Sequence, residues 1–327
     1  MAFWTGRKVI VTGSEGLIGK PLMKMLWESG AERLTFDLAT NKADDILSFD
    51  RFLSGVRAFQ PSVIIHLAAM SHVGECRKVP YKTFRVLAQG TVNVLEAARL
   101  YGKADAVLTA SSNHIYGEQS FFRPSREGAN LRALDAYSVS KICADYMTRS
   151  YGKVYKVPTV AIRNTNCYGP DDPHGDHIVP TIVTALLKKE QIKLRGDGRT
   201  RKGYLYVDDV ARAYIVAAQA IVEGRIPRGE AYNVTDKEVT VLDLVETAGR
   251  VLGIKPKVEL GQGDGIQHDE DLDDALFRKV TGWKPQFTLE QGLRKTIAGF
   301  ASRLGVDFQL TPLIRPSLVK QVLSWRF

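Results

Sequence analysis

The chain has 327 residues, 44% hydrophobic and 25% charged, an ordinary globular composition with length for two lobes at roughly 100–200 residues per domain. Cys76, Cys143 and Cys167 are odd in number and lack a CxxC spacing, which argues against a disulfide framework or a zinc site and for a reducing compartment; no apolar run approaches the ~18 residues of a membrane span. The chain thus reads as soluble and cytoplasmic, and its net charge of +9 suits an acidic partner: nucleic acid, a membrane surface or a phosphorylated small molecule.

In chain order, β-branched runs alternate with amphipathic stretches. Strands are expected over Lys8–Thr12, 33–36, 62–67, Ala106–Ala110, 159–163 and 231–234, and helices over Gly19–Glu28, 83–99 and 138–149. Apolar strands separated by helices predict an α/β fold with a Rossmann-type doubly wound parallel sheet. From Tyr168 onward the texture changes to loops rich in Gly, Pro, Asp and His, with helices over 178–189 and 242–252. That predicts a smaller α/β lobe laid over the sheet, with a cleft between the two. The expected division is 1–166 plus a returning segment near 204–234 in the large lobe, and 167–203 with 235–304 in the small one. The tail 305–327 carries no readable role.

The first strand runs into Gly13-Ser14-Glu15-Gly16-Leu17-Ile18-Gly19 at the start of a helix. Residues without Cβ permit the tight turn and let the backbone approach a pyrophosphate on the helix N-terminus. A glycine pattern alone also occurs in plain strand-to-helix turns. Asp37, 18 residues after Gly19 at the end of the second strand, adds the carboxylate that a dinucleotide site uses for the adenosine ribose. The same acid repels a 2′-phosphate, so the expected cofactor is NAD rather than NADP, although a strand-end carboxylate also serves as a helix cap. Asp45 and Ile46 are candidates to flank the adenine, and Leu67, Ala68 and Ala69 to let the cofactor backbone pass. Leu17, Ile18, Ser71 and Asn164 complete the expected cofactor contacts. His66 reads as a core histidine.

After the fourth strand comes Ser112, and 25 residues later Tyr137 and Lys141 stand four apart on one helix face. A lysine ammonium and a cationic nicotinamide ring both favour the phenolate of a tyrosine whose ordinary pKa is near ~10. Tyr137 then takes a hydroxyl proton, Ser112 bonds the same oxygen, and Lys141 also holds the nicotinamide ribose. The bland alternative is a helix with an incidental Tyr and Lys.

These motifs resemble the extended short-chain dehydrogenase/reductase superfamily, specifically its NAD-dependent nucleotide-sugar epimerase/dehydratase branch. The resemblance continues through Arg163-Asn164-Thr165-Asn166-Cys167-Tyr168-Gly169-Pro170, Gly196-Asp197-Gly198, Tyr204 to Ala211 and Gly282-Trp283-Lys284-Pro285, covering roughly residues 7–300. It implies a nucleoside diphosphate sugar as partner, with Asn166 on the diphosphate, Asn113 and His177 among the substrate contacts, and a homodimer seamed by the helices near 83–99 and 138–149. Three positions depart from the pattern. Lys202, preceded by Arg201, replaces the usual arginine on the diphosphate; Leu87 stands where an Asn is common; and 260–267 contains no arginine.

The resemblance implies oxidation of a sugar carbinol, usually C4, followed by inversion or elimination. The Asp-Glu pair that dehydratases carry after the Ser is Asn113-His114 here, which disfavours loss of water and leaves a 4-epimerase as the leading expectation. An alternative uses His114, where related epimerase-reductases and 3,5-epimerases carry a catalytic cysteine, together with His177 as acid and base at carbons flanking the ketone. A non-catalytic NAD-binding relative is the remaining class. His72, His174 and His268 read as solvated or loop residues. Scattered Lys and Arg, including Arg195 and Arg199, give no aromatic-interleaved basic face, so nucleic acid is not an expected partner.

Overall fold

The strands β1 (Lys8–Thr12), β2 (Glu32–Phe36), β3 (Val63–His66), β4 (Ala106–Ala110) and β5 (Thr159–Asn164) lie in one parallel sheet. In the computed structural model, which describes residues 3–117, 124–262 and 269–312, the smaller strands β6 (Asn166–Tyr168), β7 (Ile192–Lys193) and β8 (Arg201–Tyr206) follow. Then β9 (Glu230–Val234) returns to the first sheet, and β10 (Glu238–Thr240) and β11 (Val258–Glu259) join the small ones. The main sheet runs β2-β1-β3-β4-β5-β9, the second β10-β8-β6 and the third β11-β7. Strand order reverses between β1 and β3, so their carboxyl ends diverge and open a crevice at Gly13 and Leu67.

Strand alternation distributes the core. Val9 and Val11 of β1 pack with α1 (Gly19–Glu28) on one face, while Ile10 packs with α2 (Phe49–Phe59) on the other. The helix expected over 83–99 is present within a continuous helical run made of α4 (Pro80–Phe84), a π turn at Arg85–Gln89 and α5 (Gly90–Tyr101), with the short α3 (Val73–Lys78) before it. Pro80 lies in the first turn of α4. The π turn, where the Gly90 amide reaches back to the Arg85 carbonyl, seats Gly90 against Ile46; a Cβ there would come within 2.9 Å of that side chain.

Helix α6 (Ala136–Lys153) follows the 3₁₀ turn Asn113–Tyr116. A second apolar core gathers α7 (Ile178–Leu187), α9 (Val241–Leu252) and α11 (Leu289–Leu304) around Leu194, Tyr204 and Tyr206. Between them in sequence, α8 (Val207–Val222) packs on the main sheet, and so do Phe277 of α10 (Ala275–Thr281) and Trp283, although sequence texture groups residues 275–283 with the small lobe. Their aromatic bulk caps the apolar face of α8, where the Trp283 indole N–H donates to the Asp209 carbonyl. The tail beyond residue 312, His268 and most of the arginine-free stretch 260–267 lie outside the described residues.

Among the described residues no helix is long and apolar enough to cross a membrane. All three cysteines are free thiols.

Candidate active site

A cleft of about 1570 Å³ runs along the carboxyl ends of β1, β3, β4 and β5 and under α7. Its cofactor end starts at the glycine turn. Gly13 has φ of +72°, and a Cβ there would stand 2.6 Å from the Ala68 amide nitrogen; a Cβ on Gly19 would stand 2.2 Å from the Gly13 carbonyl oxygen. Both positions therefore exclude any side chain. Helix α1 begins without a side-chain cap and without an acid in its first turn, so its N-terminal field is left for an anion. Ser14 Oγ is buried there with no hydrogen-bond partner.

Asp37 is oriented by backbone amides: Glu15 N and Ala39 N each donate to a different carboxylate oxygen at 2.8 Å. A carboxylate accepts about four hydrogen bonds, which leaves capacity for a ribose diol. These features fit NAD. Leu17, Ile18, Asp45, Ile46, Leu67, Ala68, Ala69, Ser71 and Asn164 all line the same cleft, as does Gly16. His66 does not line it. Buried beneath the crevice, its ring nitrogens meet Thr12 Oγ1 at 2.7 Å and Thr91 Oγ1 at 3.2 Å. Burial and then the Lys141 charge push its pKa down to about 3.

The other end of the cleft is assembled from distant segments. Ser112 caps the 3₁₀ turn, its Oγ accepting from the His114 amide at 3.2 Å. Asp135 caps α6 through the Ser138 amide and hydroxyl, which places Tyr137 in the first turn and Lys141 one turn on. The network behind this frame is fully buried. Asp145 accepts from Ser111 and, in a two-pronged pair, from Arg163, which also donates to the Tyr116 hydroxyl. It ties the loop carrying Ser112 to the helix carrying Tyr137.

Within the protein, burial dominates the titration of both Tyr137 and Lys141. Burial raises the Tyr137 pKa to about 12, offset in part by a hydrogen bond with Ser112, and lowers that of Lys141 to about 8. The Lys141 ammonium donates to the Ala110 carbonyl at 2.7 Å, and Leu87, at the position where an amide was expected by resemblance, packs with Cys76 against Tyr137 as an apolar wall.

Lys202 and Arg201 part company. Lys202 lines the cleft, whereas Arg201, next to it on β8, is not among the lining residues and donates to the Glu238 carbonyl on β10. Successive strand residues face opposite sides, so only one of the pair can reach the cleft. Arg201 is thereby corrected as a substrate contact. Arg195 lines the cleft and Arg199 does not.

Sequence reasoning missed Glu270. Its carboxylate, 9% exposed, lines the cleft and accepts from Asn113 Nδ2 at 2.6 Å, Asn166 Nδ2 at 2.8 Å and Lys202 Nζ at 2.7 Å. Burial pushes its pKa up, but the charges of His114 and Lys202 and the hydrogen bonds from Lys202 and Asn166 outweigh this and bring it down to about 2. The only signal in the sequence is the acidic run 269–274, whose ordinary reading is a solvated face.

His72 and His174 are loop residues, as expected, and they are half-buried and partnered. His72 caps α3 and pairs with Asp176 at 2.7 Å; His177 pairs with Asp172 at 2.9 Å; and the His72 ring stacks with those of His174 and His177, centroids 5.3 and 5.6 Å away, while those two meet at a tilt with centroids 4.7 Å apart. They join the loop after β3 to the loop before α7 along the cleft. Among the described residues no cluster of His, Cys, Asp or Glu is arranged to hold a metal ion. His114 approaches Tyr137 edge-on, with centroids 5.8 Å apart.

The profile of the NAD dependent epimerase/dehydratase family matches residues 9–235. A UDP-glucose 4-epimerase of Mycolicibacterium smegmatis is 31% identical over 316 residues, spanning 90% of this chain and 99% of the relative. A dTDP-glucose 4,6-dehydratase of Neisseria gonorrhoeae is 26% identical over 339 residues, spanning 89% and 94%. Among solved structures, the UDP-glucose 4-epimerase of Thermus thermophilus in complex with NAD is similar with a TM-score of 0.79 at 26% identity, covering 90% of this chain and 98% of that one.

Proposed function

The chain belongs to the NAD dependent epimerase/dehydratase family, and from that membership we propose that it is a nucleotide-sugar 4-epimerase acting through a transient 4-keto sugar. The observation that carries this reading is the convergence of Ser112, Tyr137 and Lys141 in one cleft with the glycine turn and Asp37. Residues 1–166 with 204–234 carry most of the cofactor contacts and also Ser112, while 167–203 with 235–304, apart from the segment 275–283 that packs on the main sheet, carry the remaining contacts to the sugar nucleotide.

Bound NAD supplies a hydride acceptor and, once reduced, a hydride donor. Gly13, Gly16 and Gly19 let its pyrophosphate approach α1, Asp37 takes the adenosine ribose, and Lys141 takes the nicotinamide ribose. Tyr137 Oη removes the proton of the sugar hydroxyl while Ser112 Oγ bonds the same oxygen. Burial raises the Tyr137 pKa, and the Lys141 ammonium together with the charge that oxidised NAD would bring when bound would favour the phenolate. The keto sugar then turns over and is reduced on its opposite face.

Elimination of water needs a proton donor near the sugar. The Asp-Glu pair that the resemblance gives dehydratases is Asn113-His114 here, and Glu270 is held ionised by its donors, which supports inversion over loss of water. The edge contact of His114 with Tyr137 favours one second reading, proton exchange at C3 or C5 of the keto sugar with His177 as partner. The apolar residues Tyr81 and Phe84, exposed on α4, and Val139 and Tyr146, exposed on α6, support a homodimer sealed along these helices.

The test incubates the enzyme with NAD and UDP-glucose, UDP-galactose or dTDP-glucose in deuterium oxide and follows products by NMR. Inversion at C4 is expected. A 4-keto-6-deoxy product would make the protein a dehydratase; deuterium at C3 or C5 would favour the two-histidine reading. No turnover of any of the three, with NAD bound, would overturn the epimerase reading.

A further inference from the structure

The donors that resemblance assigns to a substrate diphosphate converge instead on a carboxylate. Asn166 and Lys202 both donate to Glu270, and so does Asn113, whose neighbour Ser112 stands at the reacting end. A buried carboxylate in a cleft read as an anion site is costly unless it has a purpose there. It is not a loose counter-ion. Displacing it would break three hydrogen bonds, one from an ammonium, and leave a buried charge unpaired.

Backbone contacts hold it as well. The Glu270 amide donates to the Arg201 carbonyl at 2.9 Å, and the Arg201 amide donates to Asp269 at 2.8 Å, so the segment is stitched to the edge of β8. The carboxylate has room for about one further donor beyond its three protein partners, and it faces the cleft. Meanwhile Lys193 of β7 and Arg195 just after it also line the cleft, and they offer a diphosphate positive charge without competing for Glu270.

We propose that Glu270 is a specificity-determining residue of the sugar pocket: it takes a hydrogen-bond donor from the sugar and rejects sugars that carry a carboxylate. This rests on the nucleotide-sugar reading above and adds the class of sugar. Lys202 acts as counter-ion to Glu270 rather than as a phosphate ligand, and the diphosphate falls to Lys193 and Arg195. A neutral hexose or an amino sugar satisfies the carboxylate, whereas a uronic acid sets like charges together in a water-poor site.

The matched probes are UDP-glucose and UDP-glucuronate, which differ only in hydroxymethyl against carboxylate at C6. Calorimetric binding to the NAD-loaded protein is expected to favour UDP-glucose by about tenfold or more. In Glu270→Gln that preference is expected to fall by about tenfold through a gain in affinity for UDP-glucuronate, a change a merely structural role would not produce. Glu270→Asp, which keeps the charge, is expected to retain the preference. Equal binding of the two probes by the wild-type protein would overturn the proposal whether or not a variant folds. An unchanged ratio in a folded Glu270→Gln protein would do the same while leaving the nucleotide-sugar reading intact. Binding of neither probe, nor of their dTDP counterparts, would overturn that reading and this proposal with it.

Discussion

The two ends of the cleft are built on different plans. The cofactor end is mostly backbone: a glycine turn, an uncapped helix N-terminus, and a carboxylate aimed by two amides. These three parts lie between residues 13 and 39. The sugar end is mostly side chain, gathered from the turn after β4, the first turns of α6, β6, β8 and the segment at Glu270. Backbone geometry suits a ligand common to many enzymes, while side chains from separate segments can be exchanged one by one, so specificity is concentrated at the second end.

That contrast can be broken by substitution. Tyr137→Phe keeps the ring and removes the proton acceptor, so kcat is expected to fall by about 10²–10⁴-fold while NAD binding, read by calorimetry, stays within about twofold. A parallel loss of NAD affinity would mean that the two ends are not separable. At the cofactor end, Gly19→Ala forces a Cβ toward a carbonyl oxygen 2.2 Å away. It is expected to cost about 1–3 kcal/mol in urea unfolding and to abolish measurable NAD binding.

Acid sharpens the comparison because the two ends respond in different windows. Unfolded, the His66 imidazole takes up a proton near pH 6.5, but in the fold it refuses one until about 3. The unfolded state therefore binds more protons in between, and stability falls as pH drops from 6.5 toward 3. Glu270 is depressed from 4.5 to about 2, so its contribution is present above pH 4.5 and is lost as pH falls toward 2. Urea midpoints measured against pH are expected to lose the upper part of this slope in His66→Gln and the lower part in Glu270→Gln. Identical curves for the two variants would remove the distinction.

The smallest effects test the parting of Arg201 and Lys202. Lys202→Ala deprives Glu270 of its counter-ion and is expected to raise KM for the sugar nucleotide about tenfold. Arg201→Ala, facing β10, is expected to change KM by less than about twofold. Steady-state kinetics on the pair would reverse the assignment if Arg201 carried the larger effect.

The chain by itself determined the parallel sheet, the glycine turn, Asp37 and the pairing of Tyr137 with Lys141, because each depends on a local period or on a spacing within one strand–helix unit. Thr12 to Gly19 could be read as a phosphate turn since positive φ and missing Cβ atoms are properties of the residues themselves. Only the tertiary structure decided what depends on contacts across the sequence. It put a π turn into the helix expected over 83–99, gathered three histidines from two loops, turned Arg201 away from the cleft, and brought Glu270 to Asn113 across 157 residues. It also set the protonation of Tyr137 and Lys141, since desolvation is a property of the surroundings and not of the residue. An acidic run looks solvated until packing removes the water from one member and hands it three donors instead.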